Sequence, residues 1–169
     1  PVSPPLLAPH PRGRGDSPDG QGPSSADQHV EDLIAVLDAE GLSAVHVCGM
    51  SMGGFVAVAL AARHPGRVKS LVLVDGGFPF STPPGLTLEA LPAVFADRLG
   101  RLEQAWTSLE EFAEFFTRES APLLDPADPL VLGYLAPDLD SAGRVRPYGQ
   151  VVRDDAAPVF FDVKTRVRR

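Results

Sequence analysis

The chain has 169 residues, 44% of them hydrophobic, a formal net charge of −7 and one cysteine. That size and apolar content suit one globular domain with a real core. The acidic balance argues against nucleic acid and anionic membrane surfaces as partners, no apolar run reaches bilayer length, and a lone Cys48 excludes an internal disulfide framework.

Taken in order, residues 6–8 are a short apolar run expected to end a strand. Residues 9–20, rich in Pro, Gly, Asp and Arg, read as a loop. His10 lies in that loop, either as a plain loop histidine or as a catalytic base. Ser25-Ala26-Asp27-Gln28 opens a helix as a capping box. Val30, Leu33, Ile34 and Leu37 then fall at i, i+3, i+4 and i+7, one apolar stripe. Gly41 is a suitable stop. This helix is expected to cross over to a parallel strand at 44–48, where Cys48 reads as a small core residue.

The informative stretch comes next. An apolar run ends at Gly49, a helix of small residues begins at Gly53, and Ser51 sits on the turn between them. Gly49, Ser51 and Gly53 form G-x-S-x-G in the strand–turn–helix setting that motif requires. A serine projecting from so tight a turn is expected in a costly backbone conformation. Strand and helix pass close together there, and the two elbow glycines remove Cβ atoms that would collide. The N–H of Met52 opens the helix and is placed to donate to negative charge developing on a substrate oxygen, as half of an oxyanion hole.

His64-Pro65-Gly66 ends that helix. Residues 68–74 are mainly apolar and rich in β-branched side chains, as in a strand buried on both faces. Asp75 closes the strand, either as a functional carboxylate at the ligand side of an open sheet or as a turn residue before Gly76 and Gly77. Residues 81–85 read as a linker. Helices are expected at 88–102, at 108–118 with a capping box from Ser108 to Glu111, and around 130–135. Phe112, Phe115 and Phe116, with Trp106 nearby, form an aromatic stripe that is either core or an apolar pocket wall. The carboxylates at Asp125, Asp128, Asp138 and Asp140 lack calcium-loop spacing and read as turns and caps. No metal constellation and no repeat is evident.

The residues Arg12-Gly13-Arg14-Gly15-Asp16-Ser17, then Gly49-Met50-Ser51-Met52-Gly53-Gly54, Arg63-His64-Pro65-Gly66-Arg67-Val68 and Leu71-Val72-Leu73-Val74-Asp75 resemble the middle of an α/β-hydrolase. The resemblance is specific over roughly half the chain, and looser beyond residue 80. It implies an α/β fold, a mostly parallel sheet with flanking helices, and a C-terminal helical cap segment. On that pattern residues 1–80 form a partial core with the elbow and residues 81–169 the cap. It also implies a serine nucleophile, Ser51, acting without a cofactor on a small ester, thioester or lactone. Asp75 occupies a position where some members carry the acid. A serine at the elbow disfavours the branches that use aspartate there. His10-Pro11 stands where the family often has an aspartate and an apolar residue, which is a departure.

Two parts of the family machinery are not visible: the upstream loop that completes the oxyanion hole, and the later strands with acid and histidine. No histidine follows His64. His29 falls on the crossover helix, His46 in a strand, and His64 at the far end of the helix leaving the elbow, which leaves His10 as the candidate base. The expectation is a cytoplasmic fragment of a serine hydrolase with a small-molecule substrate. The alternative is a truncated, non-catalytic chain of the same fold.

Overall fold

The computed structural model describes residues 6–18, 24–78, 84–85, 87, 89–90, 93, 100, 104–118, 123–145 and 154–155. The chain divides into two compact units, one of residues 20–94 and 150–169, the other of residues 1–19 and 95–149.

The first unit holds the elbow. Helix α1, Ala26–Ala39, begins where the Ser25 hydroxyl accepts from the N–H of Gln28 at 3.1 Å. It ends where Gly41 takes a φ of 66° and Leu42 N–H donates back to the Leu37 carbonyl at 2.8 Å, a Schellman closure that a residue with a Cβ would make at a cost. Strand β1, Val45–Met50, leads through Ser51 into helix α2, Met52–Arg63, and a single 3-10 turn at Pro65–Arg67 returns the chain to strand β2, Val68–Val74. The strands are parallel, with Val47 opposite Leu71 and Met50 opposite Val74. Val30, Val56, Ala59 and Leu60 are buried together, and Leu33, Ile34, Val47 and Val68 pack against them. The expected stripe on α1 thus meets α2 and one face of the sheet.

Among the described residues the other face is uncovered. Met50, Val72 and Val74 are 65%, 55% and 44% exposed, and Cys48 is exposed with them. Two expectations are corrected here. Among the described residues the sheet has two strands, and residues 6–8 form none: they are irregular, and Leu6 is 89% exposed. Pro4, Pro5, Pro9 and Pro11 bracket that run and lack the N–H groups a ladder needs. Cys48 is not a core residue, because its side of the sheet carries no covering layer in the described structure.

In the second unit, helix α3, Leu109–Thr117, starts at Ser108, whose hydroxyl accepts from Glu111 N–H at 3.1 Å. Glu111 reaches back to accept from the N–H and hydroxyl of Thr107 at 2.9 and 2.6 Å. Helix α4, Pro129–Leu135, is capped by Asp128 with proline in its first turn. Trp106, Phe112, Ala113, Leu135 and Val145 are buried together. The Trp106 ring packs tilted against Phe112 and Phe115, with centroids 5.4 and 4.9 Å apart. Phe112 is fully buried, so it belongs to this unit's core. Asp125, Asp128 and Asp140 each accept from backbone N–H groups just downstream, as turn and cap residues do. The helix expected at 88–102 and the chain after 145, apart from residues 154–155, lie largely outside the described residues.

Candidate active site

The two strands end side by side, and both chains turn sharply as they leave the sheet. Ser51 has φ 49° and ψ −118°. Asp75, on the residue after Val74, also has φ 49°. A positive φ on a residue with a Cβ is strained by about 1–3 kcal/mol and persists only where its surroundings enforce it. The Ser51 N–H donates to the Val74 carbonyl at 2.8 Å, and the Ser51 carbonyl accepts from Gly54 N–H at 2.9 Å as the first turn of α2 forms. The Ser51 side chain is exposed at the helix N-terminus and makes no capping bond there. Met52 is the first residue of α2, so its N–H has no acceptor within the helix.

The glycine pattern is only partly what the motif suggests. A Cβ on Gly49 would overlap the Gly53 carbonyl oxygen, so Gly49 is needed for the close approach of strand and helix. A Cβ on Gly53 would meet nothing within 4 Å. It is the backbone at position 53, not the absence of its side chain, that fills the space. The collisions expected of Gly53 occur instead at Gly54 and Gly76, where added Cβ atoms would strike the facing turn.

Asp75 is brought to the same end of the sheet as Ser51, with its side chain exposed. His10 belongs to the other compact unit. It is exposed, its Nδ1 accepts from Asp16 N–H at 3.0 Å, and its carbonyl accepts from the Ser17 hydroxyl at 2.7 Å. His46 lies on the bare sheet face, 2.7 Å from the Ser70 hydroxyl. His64 is the C-cap of α2. Among the described residues of the unit that holds Ser51, no hydrogen bond joins its side chain to His29, His46 or His64.

One polar cluster escaped the sequence reading. Ser24, His29 and Asp155 are 6%, 4% and 5% exposed. Asp155 Oδ1 accepts from the Ser24 hydroxyl at 2.6 Å and lies 3.0 Å from His29 Nε2, while Ser24 Oγ and His29 Nε2 are 3.1 Å apart. Asp154 accepts from Ser24 N–H at 3.3 Å. These are the residue types of a hydrolytic triad, but the arrangement is a closed triangle on one carboxylate oxygen, and its serine is out of reach of substrate. It fastens residues 154–155 to the start of α1. Nothing local signals it, since Asp155 lies 126 and 131 positions from His29 and Ser24 in the chain.

Among the described residues no group of three or more His, Cys, Asp or Glu side chains is placed to hold a metal, and no helix is long and apolar enough to cross a membrane.

Comparison with known proteins bears on the elbow. A family profile described as the alpha/beta hydrolase fold matches residues 5–119. Lipase LipV of Mycobacterium tuberculosis is 45% identical over 71 residues, 42% of this chain and 27% of its own length. The 2-hydroxymuconate semialdehyde hydrolase of Pseudomonas putida is 46% identical over 66 residues, 38% of this chain and 24% of its own length. The crystal structure of an alpha/beta hydrolase from Novosphingobium aromaticivorans is similar with a TM-score of 0.62 and 29% identity, covering 85% of this chain and 50% of that one. The chain therefore spans about half the length of that solved structure and matches about a quarter of each of the two relatives. With the profile running through both strands and the strand–turn–helix junction at Ser51, the chain belongs to the family of the α/β-hydrolase fold.

Proposed function

We propose that this chain carries the nucleophile and half of the oxyanion hole of a serine hydrolase for small esters, thioesters or lactones. The observation that carries the reading is Ser51 itself: an exposed serine held at φ 49° between a parallel strand and a helix N-terminus. Strain of this kind on a residue with a side chain concentrates at functional sites. The names of the two similar proteins, a lipase and a semialdehyde hydrolase, support a hydrolytic role.

In this reading Ser51 Oγ attacks the substrate carbonyl carbon and its proton passes to a base. The oxyanion takes a hydrogen bond from Met52 N–H. The carbonyl carbon's bond to the leaving alcohol or thiol then breaks, and the leaving group takes up the proton. Water hydrolyses the acyl-serine, releasing the acid and restoring the hydroxyl. Asp75 serves as the acid that orients the base, and His10 is this chain's candidate for the base. Within residues 81–169, the part that belongs to the second compact unit, residues 95–149, is the cap segment, and the parent protein works in the cytoplasm.

One observation favours a second reading, a non-catalytic chain of this fold: the Ser51 hydroxyl makes no hydrogen bond to His29, His46 or His64, the histidines of its own compact unit. A serine without a base is a weak nucleophile. The test is p-nitrophenyl acetate hydrolysis by the 169-residue chain and by its Ser51→Ala variant. We expect near-background rates from both, and substantial turnover from a longer parent carrying a histidine downstream. A wild-type rate above the variant by roughly the 10³-fold or more that a working triad supplies would show a base within the chain, with His10→Ala the next variant. A longer parent that is also inactive would establish the second reading.

A further inference from the structure

The packing behind Ser51 is made by residues outside the G-x-S-x-G pattern. Beyond Val74 the chain turns through Asp75 into Gly76 and Gly77. A Cβ on Gly76 would overlap the Ser51 carbonyl oxygen and lie 2.8 Å from both its carbonyl carbon and its Cα. A Cβ on Gly54 would lie 2.7 Å from the Gly76 carbonyl carbon, and one on Gly77 would lie 2.8 Å from the Gly54 oxygen. The turn after β1 and the turn after β2 are thus interlocked backbone against backbone. A side-chain tip can rotate out of such a contact, whereas a carbonyl group moves only with its turn.

That interlock answers a question the strain poses. A φ of 49° on serine must be over-determined by its surroundings. Within its own turn, Ser51 is held by the Gly54 N–H to Ser51 carbonyl bond. The close approach of Gly49 to the Gly53 carbonyl adds to this, and the other strand supplies the contacts to Ser51 itself: the Val74 carbonyl that takes the Ser51 N–H, and Gly76 seated against the Ser51 backbone. We propose that the turn formed by Asp75, Gly76 and Gly77 is the positioning element for Ser51, with Gly76 as its positioning residue. The catalytic consequence rests on Ser51 being a nucleophile; the conformational one does not.

The experiment has two arms, both on the whole 169-residue chain. In the first, NMR reads the exchange rate of the Ser51 amide and the sign of its φ from the intraresidue nuclear Overhauser effect between amide and α protons, which is strong where a positive φ brings the two close. The wild type should show a protected amide and a positive φ. Gly76→Ala should lose both while the α1 amides around Val30 stay protected, and Gly66→Ala, whose Cβ meets nothing within 4 Å, should keep both. A wild-type Ser51 amide that exchanges like an exposed loop overturns the proposal with no variant required, so a Gly76→Ala chain that does not fold leaves it falsifiable. Gly76→Ala retaining protection and φ overturns it too.

In the second arm a fluorophosphonate probe reads reactivity: the Ser51 Oγ–P bond forms, the P–F bond breaks, fluoride leaves, and the hydroxyl proton goes to the base or buffer. Where the wild type labels faster than Ser51→Ala, labelling of Gly76→Ala should be slower by about a hundredfold, the order expected when a reacting group is misplaced by an ångström. Wild type labelling no faster than Ser51→Ala fits a chain that supplies no base for Ser51, and the positioning element then stands or falls on the first arm. Unchanged labelling of Gly76→Ala, with the wild type reactive, removes its functional role.

Discussion

Ser51 and Asp75 leave the two parallel strands as a matched pair: Met50 is in register with Val74, and the residue after each takes a φ of 49°. The Ser51 N–H closes on the Val74 carbonyl at 2.8 Å, so the two strained turns are held to one another at the ligand end of the sheet.

If that strain persists in solution, relieving it should stabilise the protein. Ser51→Gly and Asp75→Gly should each raise stability by about 1 kcal/mol, because glycine adopts positive φ without the clash a Cβ brings. Urea midpoints with unchanged slopes check this. Two destabilised variants would mean that the positive φ angles are not what the chain adopts.

The elbow glycines should behave unequally. Gly53→Ala meets no atom and sits inside a helix, so it should be neutral or stabilise by about 0.5 kcal/mol. Gly49→Ala would drive a Cβ into the Gly53 carbonyl and should be destabilising by at least about 1–3 kcal/mol. Thermal melts of the pair decide the matter, and equal costs would contradict the asymmetry.

Glu111 gives the second unit a pH dependence. Its carboxyl is held below the usual value by the Thr107 hydroxyl and then by the Thr107 N–H. A depressed folded pKa means that the contribution to stability is present above the unfolded carboxylate value and is lost as pH falls through the folded one. Acidification should therefore weaken α3, and Glu111→Gln should flatten that part of the profile. Trp106 fluorescence, from the chain's one tryptophan, is the readout. An identical acid profile in the variant would remove the role assigned to the capping carboxylate.

The buried triangle should couple its members. His29→Ala and Asp155→Ala should each cost about 1–3 kcal/mol by leaving buried polar atoms without their partners. The double variant should cost less than the sum by about 0.5–3 kcal/mol. Additive losses would show that the residues do not meet.

How much of this was legible in the sequence depended on distance along the chain. Helix α1, its serine cap and its glycine closure, the capping at Ser108 and Glu111, and the strained serine between β1 and α2 all follow from residues within about a turn of each other. Periodicity, cap chemistry and turn sterics act at that range, so the family's elbow could be read directly around Ser51.

The rest was decided by what the fold brings together. Gly76, not Gly53, stands against Ser51 because β2 happens to run beside β1, which no local pattern states. Ser24 and His29 meet Asp155 only because a segment more than a hundred positions away docks at the start of α1. Cys48 lies on a bare face because its burial depends on which neighbour supplies a covering layer. Local sterics and hydrogen bonding write the elbow into the sequence; burial and backbone contact between distant segments belong to the tertiary structure alone.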